Sequence, residues 1–228
     1  MKGLARQSSA HGPWADRAAS GHDLGHAVDD VLGRDRTDRP LVLGLPRGGV
    51  VVAAAVAAIV DGELDVLVVR KVGVPWHREL ALGAVTASGL RVLNSDVIRR
   101  ARLDAGDVER AFSTVEREAR ERERMFRADR PAVEPGGRIV VLVDDGLATG
   151  ATALAATQLV RNATPPPRRV VLAAPVAPPD TVRRLAAHVD DVVVLAQPAD
   201  FLAVGEWFAD FTQVDDTTVQ RIMARSGR

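Results

Sequence analysis

The sequence predicts an α/β fold in which a parallel sheet carries helices on both faces. Three observations lead there. Runs of nearly continuous Val and Leu recur as LVLGL (41–45), LDVLVV (64–69), RIVVLV (138–143), RVVLAAPV (169–176) and DVVVLA (191–196). A strand buried on both faces reads this way, whereas a half-exposed strand alternates. Helical stretches separate the runs, as crossovers between parallel strands require. No repeat or low-complexity linker divides the 228 residues, so one domain over 14–228 is expected.

Taken in order, residues 1–13 mix Ser, Gly, Ala and isolated charges without period and read as a flexible tail. Residues 14–33 set Ala18, Leu24, Ala27, Val28, Val31 and Leu32 at helical spacing before Gly33, despite two internal glycines. VVVAAAVAAIVDG (50–62) is a buried helix ending at Gly62. Residues 73–95, with Gly73, Pro75, Gly83 and Gly89, read as a loop and a hairpin-like excursion. Residues 95–127 form one long charged helical region, with Val108, Ala111, Phe112, Val115, Ala119 and Phe126 as its apolar stripe. Glu116–Arg120, Glu118–Arg122 and Glu123–Arg127 are opposite charges four apart. ATALAATQLVRNA (151–163) and DTVRRLAAHV (180–189) are helices, and the tail from 199 reads as two short ones.

Composition excludes several classes of protein. Lys+Arg and Asp+Glu are both 30, so bulk charge does not draw the chain to nucleic acid or an anionic membrane. Cysteine is absent, which removes disulfides, thiolate nucleophiles and Cys–zinc sites. No uncharged run of 18 apolar residues occurs, and the N-terminus lacks a signal-length apolar core, so the expected location is cytoplasmic. Only Lys2 and Lys71 are lysine; the other 28 basic residues are arginine. An internal lysine in that background marks Lys71 as a site candidate, because a compact ammonium is not equivalent to a guanidinium.

Ligands of such sheets sit outside the C-terminal strand ends. There, VVLVDDGLATGAT (140–152) puts two carboxylates and a Gly/Thr turn between a strand and a helix. The turn can aim backbone N–H groups of Leu147 to Thr152 at an anion, and the helix dipole favours the same charge. Thr149 and Thr152 add hydroxyls, and Gly146 and Gly150 allow close approach. Asp144 and Asp145 suit sugar hydroxyls or a phosphate-bound Mg²⁺ rather than phosphate. A ligand with both a phosphate and a diol satisfies the whole segment. There is no GxxxxGK[ST] and no GxGxxG after a strand, so neither a P-loop nor a dinucleotide site is indicated. GLPRGGV (44–50), after the first strand, is a second candidate anion nest, with Arg47 as fixed charge.

The segment 140–152 resembles the phosphoribosyl-diphosphate (PRPP) signature of type I phosphoribosyltransferases. With WADRAASG, LPRGGVVVA, RKVG, the Glu/Arg-rich helix and FLAVGEWFADFTQV, the resemblance extends over roughly 14–221, to a bacterial subgroup of unassigned acceptor. Some members of it are joined to a hydrolase domain; none is expected within these residues. The resemblance implies a Rossmann-like core, an inserted loop and helix region, and a small hood from 14–40, from 197–228 or from both. It implies transfer of 5-phosphoribosyl from PRPP to a nitrogen acceptor, a nucleobase or related heterocycle, with release of diphosphate. Asp144 and Asp145 would hold the ribose hydroxyls. Gly146, Leu147, Ala148, Thr149, Gly150, Ala151 and Thr152 would hold the 5-phosphate. Leu45, Pro46, Arg47, Gly48 and Gly49 would bind diphosphate, where an unusual backbone conformation is often found. Arg70 and Lys71, ending the second strand, would clamp the same group. Mg²⁺ would be held mainly through PRPP, with Asp144 and Asp145 as candidate ligands. Residues 70–85 sit where the family carries a mobile catalytic loop, with His77, Arg78 and Glu79 as polar candidates.

Phe201 directly follows the fifth strand and is the candidate for stacking on the acceptor, whereas Val204, Trp207, Phe208 and Phe211 share a helical stripe and read as core. His22 and His26 stand four apart without a third metal ligand and read as a solvated helix face. The expected partners are PRPP and a small acceptor, with no nucleic acid and no membrane. The Arg-rich helix at 110–130 carries so many acids that it reads as solvated or oligomer-facing, which leaves a homodimer open. A PRPP- or nucleotide-sensing regulator that kept the pocket without turnover, and release of diphosphate with water or a non-base group as the acceptor, also remain open.

Overall fold

The five Val/Leu runs pair side by side as one parallel sheet in the computed structural model, which describes residues 13–33, 38–127 and 130–226, without the side chains of Arg78 and Glu79. All but the last residue of the expected tail at 1–13 lies outside the described residues. The elements run α1 (Arg17–Leu32), β1 (Leu41–Gly44), α2 (Gly48–Ile59), β2 (Glu63–Val66), β3 (Val69–Val74), β4 (His77–Thr86), β5 (Arg91–Leu93), α3 (Ser95–Arg100) and α4 (Ala105–Arg127). They continue with β6 (Ile139–Val143), α5 (Ala151–Arg161), β7 (Arg169–Val176), α6 (Pro179–Ala186), β8 (Asp191–Ala196), a 3-10 turn (Val204–Trp207) and α7 (Asp216–Ser226).

The parallel sheet has the order β2-β1-β6-β7-β8. Pairing of Leu41 with Val140 and of Gly44 with Val143 brings β1 and β6 to their C-terminal ends at the same level. Strand order reverses between these two, so their following loops flank the crevice where such sheets bind ligands. Alternate residues serve opposite faces: Val42, Val141 and Val143 meet α1, α2 and α7, while Leu41, Leu43, Val140 and Leu142 meet α5 and α6. The glycines inside α1 are explained by its packing on α2. A Cβ on Gly21 would lie 2.7 Å from the Val52 carbonyl oxygen, and one on Gly25 would lie 2.8 Å from Ile59 Cδ1. Among the described residues no helix is long and apolar enough to cross a membrane.

Four sequence expectations need correction. The run 64–69 is not one strand: β2 ends at Val66, and Arg70 and Lys71 lie within β3 of a separate antiparallel sheet, β3-β4-β5. Apolar continuity cannot show where the chain leaves one sheet for another. The segment read as a loop and hairpin is therefore mostly strand, closed by its own core of Val72, Val74, Leu82, Val85 and Phe112. The region 95–127 is two helices, broken where Arg102 takes φ 54°. Asp104 starts the second by accepting the Asp107 N–H at 2.7 Å. In the tail, the spacing of Val204, Trp207, Phe208 and Phe211 arises from a 3-10 turn and extended chain rather than a helix. Trp14 pairs with this segment, donating to Trp207 O at 2.9 Å and accepting from the Ala209 N–H at 2.7 Å.

Helix α4 is less solvated than its charge suggests. Glu116–Arg120 and Glu123–Arg127 form as spaced, but Glu118 instead pairs with Arg70 at 3.0 Å and Arg122 with Asp216 at 2.9 Å. Arg127 is buried: its Nε donates to Asp65 at 2.7 Å and its Nη2 to Val66 O at 2.8 Å. Asp65 also accepts the Val133 N–H at 2.9 Å, so one charged cluster fastens α4 to β2.

Candidate functional site

The loops after β1 and β6 touch, and glycine is what lets them. A Cβ on Gly49 would lie 2.7 Å from Val143 O and 2.9 Å from Asp144 Cα; one on Gly48 would overlap the Asp145 carboxylate and sit 2.8 Å from Arg17 Nε. The Leu45 N–H donates to Val143 O at 2.9 Å, which pins the loop after β1 to the end of β6. The Pro46–Arg47 peptide is cis. Arg47 begins α2, with its guanidinium 3.6 Å from Asp216 of α7.

The acid pair sits beneath this junction. Asp144 Oδ1 accepts the Asp145 N–H at 2.9 Å. Asp145 Oδ2 accepts from Arg17 Nε at 2.7 Å, with the Arg17 side chain only 10% exposed. Arg17 Nη1 donates to Thr212 O at 2.9 Å, and its guanidinium lies 3.8 Å from the Phe211 ring centre. The sequence reading missed Arg17. A signal was present: Arg17 and Gly21 extend the buried stripe of Leu24 and Val28 by two turns, so a charge there demands a buried partner.

Burial pushes the Asp144 carboxyl well above the usual range; the Asp145 carboxylate raises it further, and the Asp145 N–H and Arg17 pull it down. A carboxyl raised in the fold gives a contribution fully present below its unfolded pKa and lost as pH rises through the folded value. Ionised Asp144 therefore opposes folding at neutral pH. Asp144→Asn is expected to raise the thermal midpoint near neutral pH and to leave it unchanged in acid. Melts of both proteins across pH check this, and equal midpoints at neutral pH would count against it.

In the second loop, the Leu147 N–H is used in the fold, donating to Val176 O at 2.9 Å, so buried Leu147 is wall rather than anion donor. This corrects the expectation that N–H groups from Leu147 onward all face a ligand. Ala148, Thr149, Gly150 and Thr152 have N–H groups with no acceptor among the described residues. Thr181 Oγ1 holds the Ala148 carbonyl at 2.9 Å and Arg184 holds that of Thr149, which fixes the turn from behind. Gly150 adopts φ 63°, where a Cβ would also approach Leu185 Cδ1 to 2.8 Å. Gly146 and Ala151 complete the segment, Gly146 lying against Val204.

Lys71 and Arg70 diverge as neighbours on a strand must. Arg70 is tied to Glu118, whereas Lys71 lines a cavity of about 660 Å³ with Gly83, Asn94, Asp96, Thr152 and Gln158. Lys71 thus shares a cavity with the start of α5, and Arg70 does not. His77 is exposed at the start of β4; Arg78 and Glu79 follow in the strand, and their side chains lie outside the described residues. Phe201 is half-buried against the core of the parallel sheet. His22 and His26 contact each other with ring centres 4.8 Å apart.

A family model described as a phosphoribosyl transferase domain matches residues 18–202. Proteins of two Mycobacterium tuberculosis strains, CDC 1551/Oshkosh and H37Rv, carry the provisional name phosphoribosyl transferase. Each is 46% identical over 217 residues, covering 93% of this chain and 47% of the relative. The chain thus spans about half the length of the curated relatives it matches. The crystal structure of TT1426 from Thermus thermophilus is similar with a TM-score of 0.81 at 44% identity, over 93% of this chain and 98% of that one.

Proposed function

We propose, on the premise that the chain belongs to the phosphoribosyl transferase family, that it transfers 5-phosphoribosyl from PRPP to a nitrogen acceptor and releases diphosphate. The observation that carries this reading is the junction itself: an acid pair and two glycine loops meet at the level ends of β1 and β6. A diol, a phosphate and a diphosphate on one ligand match those three parts. The acceptor is proposed to be a nucleobase or related heterocycle.

In this reading the 5-phosphate accepts from the N–H groups of Ala148, Thr149, Gly150 and Thr152 at the start of α5, where the helix dipole favours an anion. The ribose hydroxyls donate to Asp144 and Asp145. Arg17 fixes the position of the Asp145 carboxylate. Leu45 to Gly49 receive the diphosphate, with Arg47 of that loop and Lys71, which lines the cavity beside the start of α5, as its cations. Arg70 reaches the same group only by leaving Glu118. Loss of diphosphate leaves positive charge on the ribose ring, and the chain's part is to position both reactants and stabilise the departing charge. Phe201 is the proposed wall for a planar acceptor.

Two adjacent carboxylates can fill two of the six positions around a magnesium ion, and among the described residues no cluster of three or more candidate ligands exists. That donor set fits an ion brought by the substrate's phosphates, not one caged by protein. Mg²⁺ held there would neutralise the leaving diphosphate.

Calorimetric titration of PRPP with Mg²⁺, with and without EDTA, tests the pocket; screening bases for diphosphate release tests the transfer. Saturable Mg²⁺-dependent binding with base-dependent release is expected. Absence of PRPP binding in all conditions overturns the reading. Binding without release from any base leaves a sensor of PRPP as the function.

A further inference from the structure

We infer that Asp216, the first residue of α7, competes with diphosphate for Arg47 and so sets how tightly the loop after β1 holds that group, while Arg122 of α4 tempers the competition. This role presupposes the assignment of diphosphate to Leu45–Gly49. Asp216 and α7 lie beyond residues 18–202, which the family model matches.

Arg47 Nη1 lies 3.6 Å from Asp216 Oδ1. That separation is too long for a hydrogen bond, so the contact is charge attraction, and the guanidinium keeps its N–H donors for another acceptor. The same oxygen accepts from Arg122 Nη2 at 2.9 Å. One carboxylate oxygen is therefore shared unequally: α4 takes the hydrogen bond, and Arg47 feels the rest of the charge. Both holders of Asp216 are themselves anchored. Helix α7 buries Val219 and Met223 in the main core, and the Arg122 guanidinium lies 5.1 Å from the ring centre of buried Phe126. Arg70 is matched in like manner by Glu118, one turn before Arg122 on α4.

A carboxylate beside the cation opposes diphosphate in two ways. It offsets the positive charge of Arg47, and it repels the negative ligand. The side chains of Arg47 and Asp216 are 32% and 35% exposed, so water screens the effect and leaves it moderate. A moderate penalty suits a leaving group, which has to be held while its bond breaks and then let go. Arg122 limits the penalty, because it takes the hydrogen bond of Asp216 and part of its charge. Without Arg122, the Arg47 guanidinium would be the nearest remaining partner of this carboxylate. Removing the acid and removing its holder therefore act on diphosphate with opposite signs.

The test is calorimetric titration of inorganic diphosphate with Mg²⁺, and separately of ribose 5-phosphate, into the parent, Asp216→Asn, Arg122→Gln and the double variant. Asparagine keeps an acceptor for Arg122 and loses only the charge. Diphosphate is expected to bind Asp216→Asn about fivefold more tightly than the parent, and Arg122→Gln about fivefold more weakly. The double variant is expected to match Asp216→Asn, since Arg122 acts through the acid. Ribose 5-phosphate lacks the diphosphate and is expected to bind all four proteins alike, whereas general damage to the fold would weaken both ligands. Equal or weaker diphosphate binding by Asp216→Asn overturns the role of Asp216, and a double variant as weak as Arg122→Gln overturns that of Arg122. PRPP, which carries the same group, replaces diphosphate as the probe if the free anion binds too weakly to titrate. A parent that binds neither removes the diphosphate assignment itself, and this role with it.

Discussion

Asp144→Asn combined with Asp145→Asn is expected to abolish Mg²⁺-dependent PRPP binding and any turnover, while the protein stays folded. Each carboxylate offers a charged acceptor to a ribose hydroxyl, and such bonds contribute roughly 1.5–3 kcal/mol apiece. Loss of both corresponds to about two to four orders of magnitude in affinity. The fold should tolerate the change for local reasons. Burial already disfavours the charge on Asp144 that the substitution removes, and an asparagine Oδ1 at 145 can still accept from Arg17 Nε, which now donates at 2.7 Å. Calorimetry with PRPP and Mg²⁺, alongside a thermal melt, separates the two effects. A folded double variant that bound or turned over PRPP like the parent would remove the ribose assignment.

Arg127→Met should produce the largest loss of stability, about 3–5 kcal/mol, because it strands buried carboxylates. Asp65 is 1% exposed and the Glu123 side chain 5% exposed, and both rely on this guanidinium. The arithmetic of burial makes a second variant informative. Removing all three charges together, as Asp65→Leu/Glu123→Leu/Arg127→Met, should recover most of the loss, since no uncompensated charge is then left inside. Urea unfolding of the two variants measures this. A single variant within about 1 kcal/mol of the parent would show that the cluster is solvated and not buried.

The parallel sheet was legible because its strands are buried on both faces and so leave long Val/Leu runs between helices. The acid pair and Gly/Thr turn were legible because anion binding at a helix start needs small residues in a short, fixed pattern. What the sequence concealed was non-local. Nothing in 64–69 marks the move from β2 into another sheet, because both strands bury apolar side chains. The pairing of Glu118 with Arg70 and not with Arg122 depends on where β3 passes α4. Arg17 lies 128 residues from Asp145, and only the packing of α1 over the crevice brings them together. The aromatic tail misled because burial alone, without helix, produced helical spacing.

The contact of Arg17 with Thr212 and Phe211 has a dynamic consequence. One side chain is shared between the middle of the chain and its closing segment, so Asp145 keeps its cation only while residues near 212 stay docked. Fraying of that segment and loss of charge compensation at the acid pair are then a single event, a sub-global opening in place of two independent fluctuations. A ligand that loads the acid pair from the crevice draws on the same reservoir of order, and amides around 208–215, far along the chain from the loops it touches, should exchange their hydrogens more slowly when it is bound.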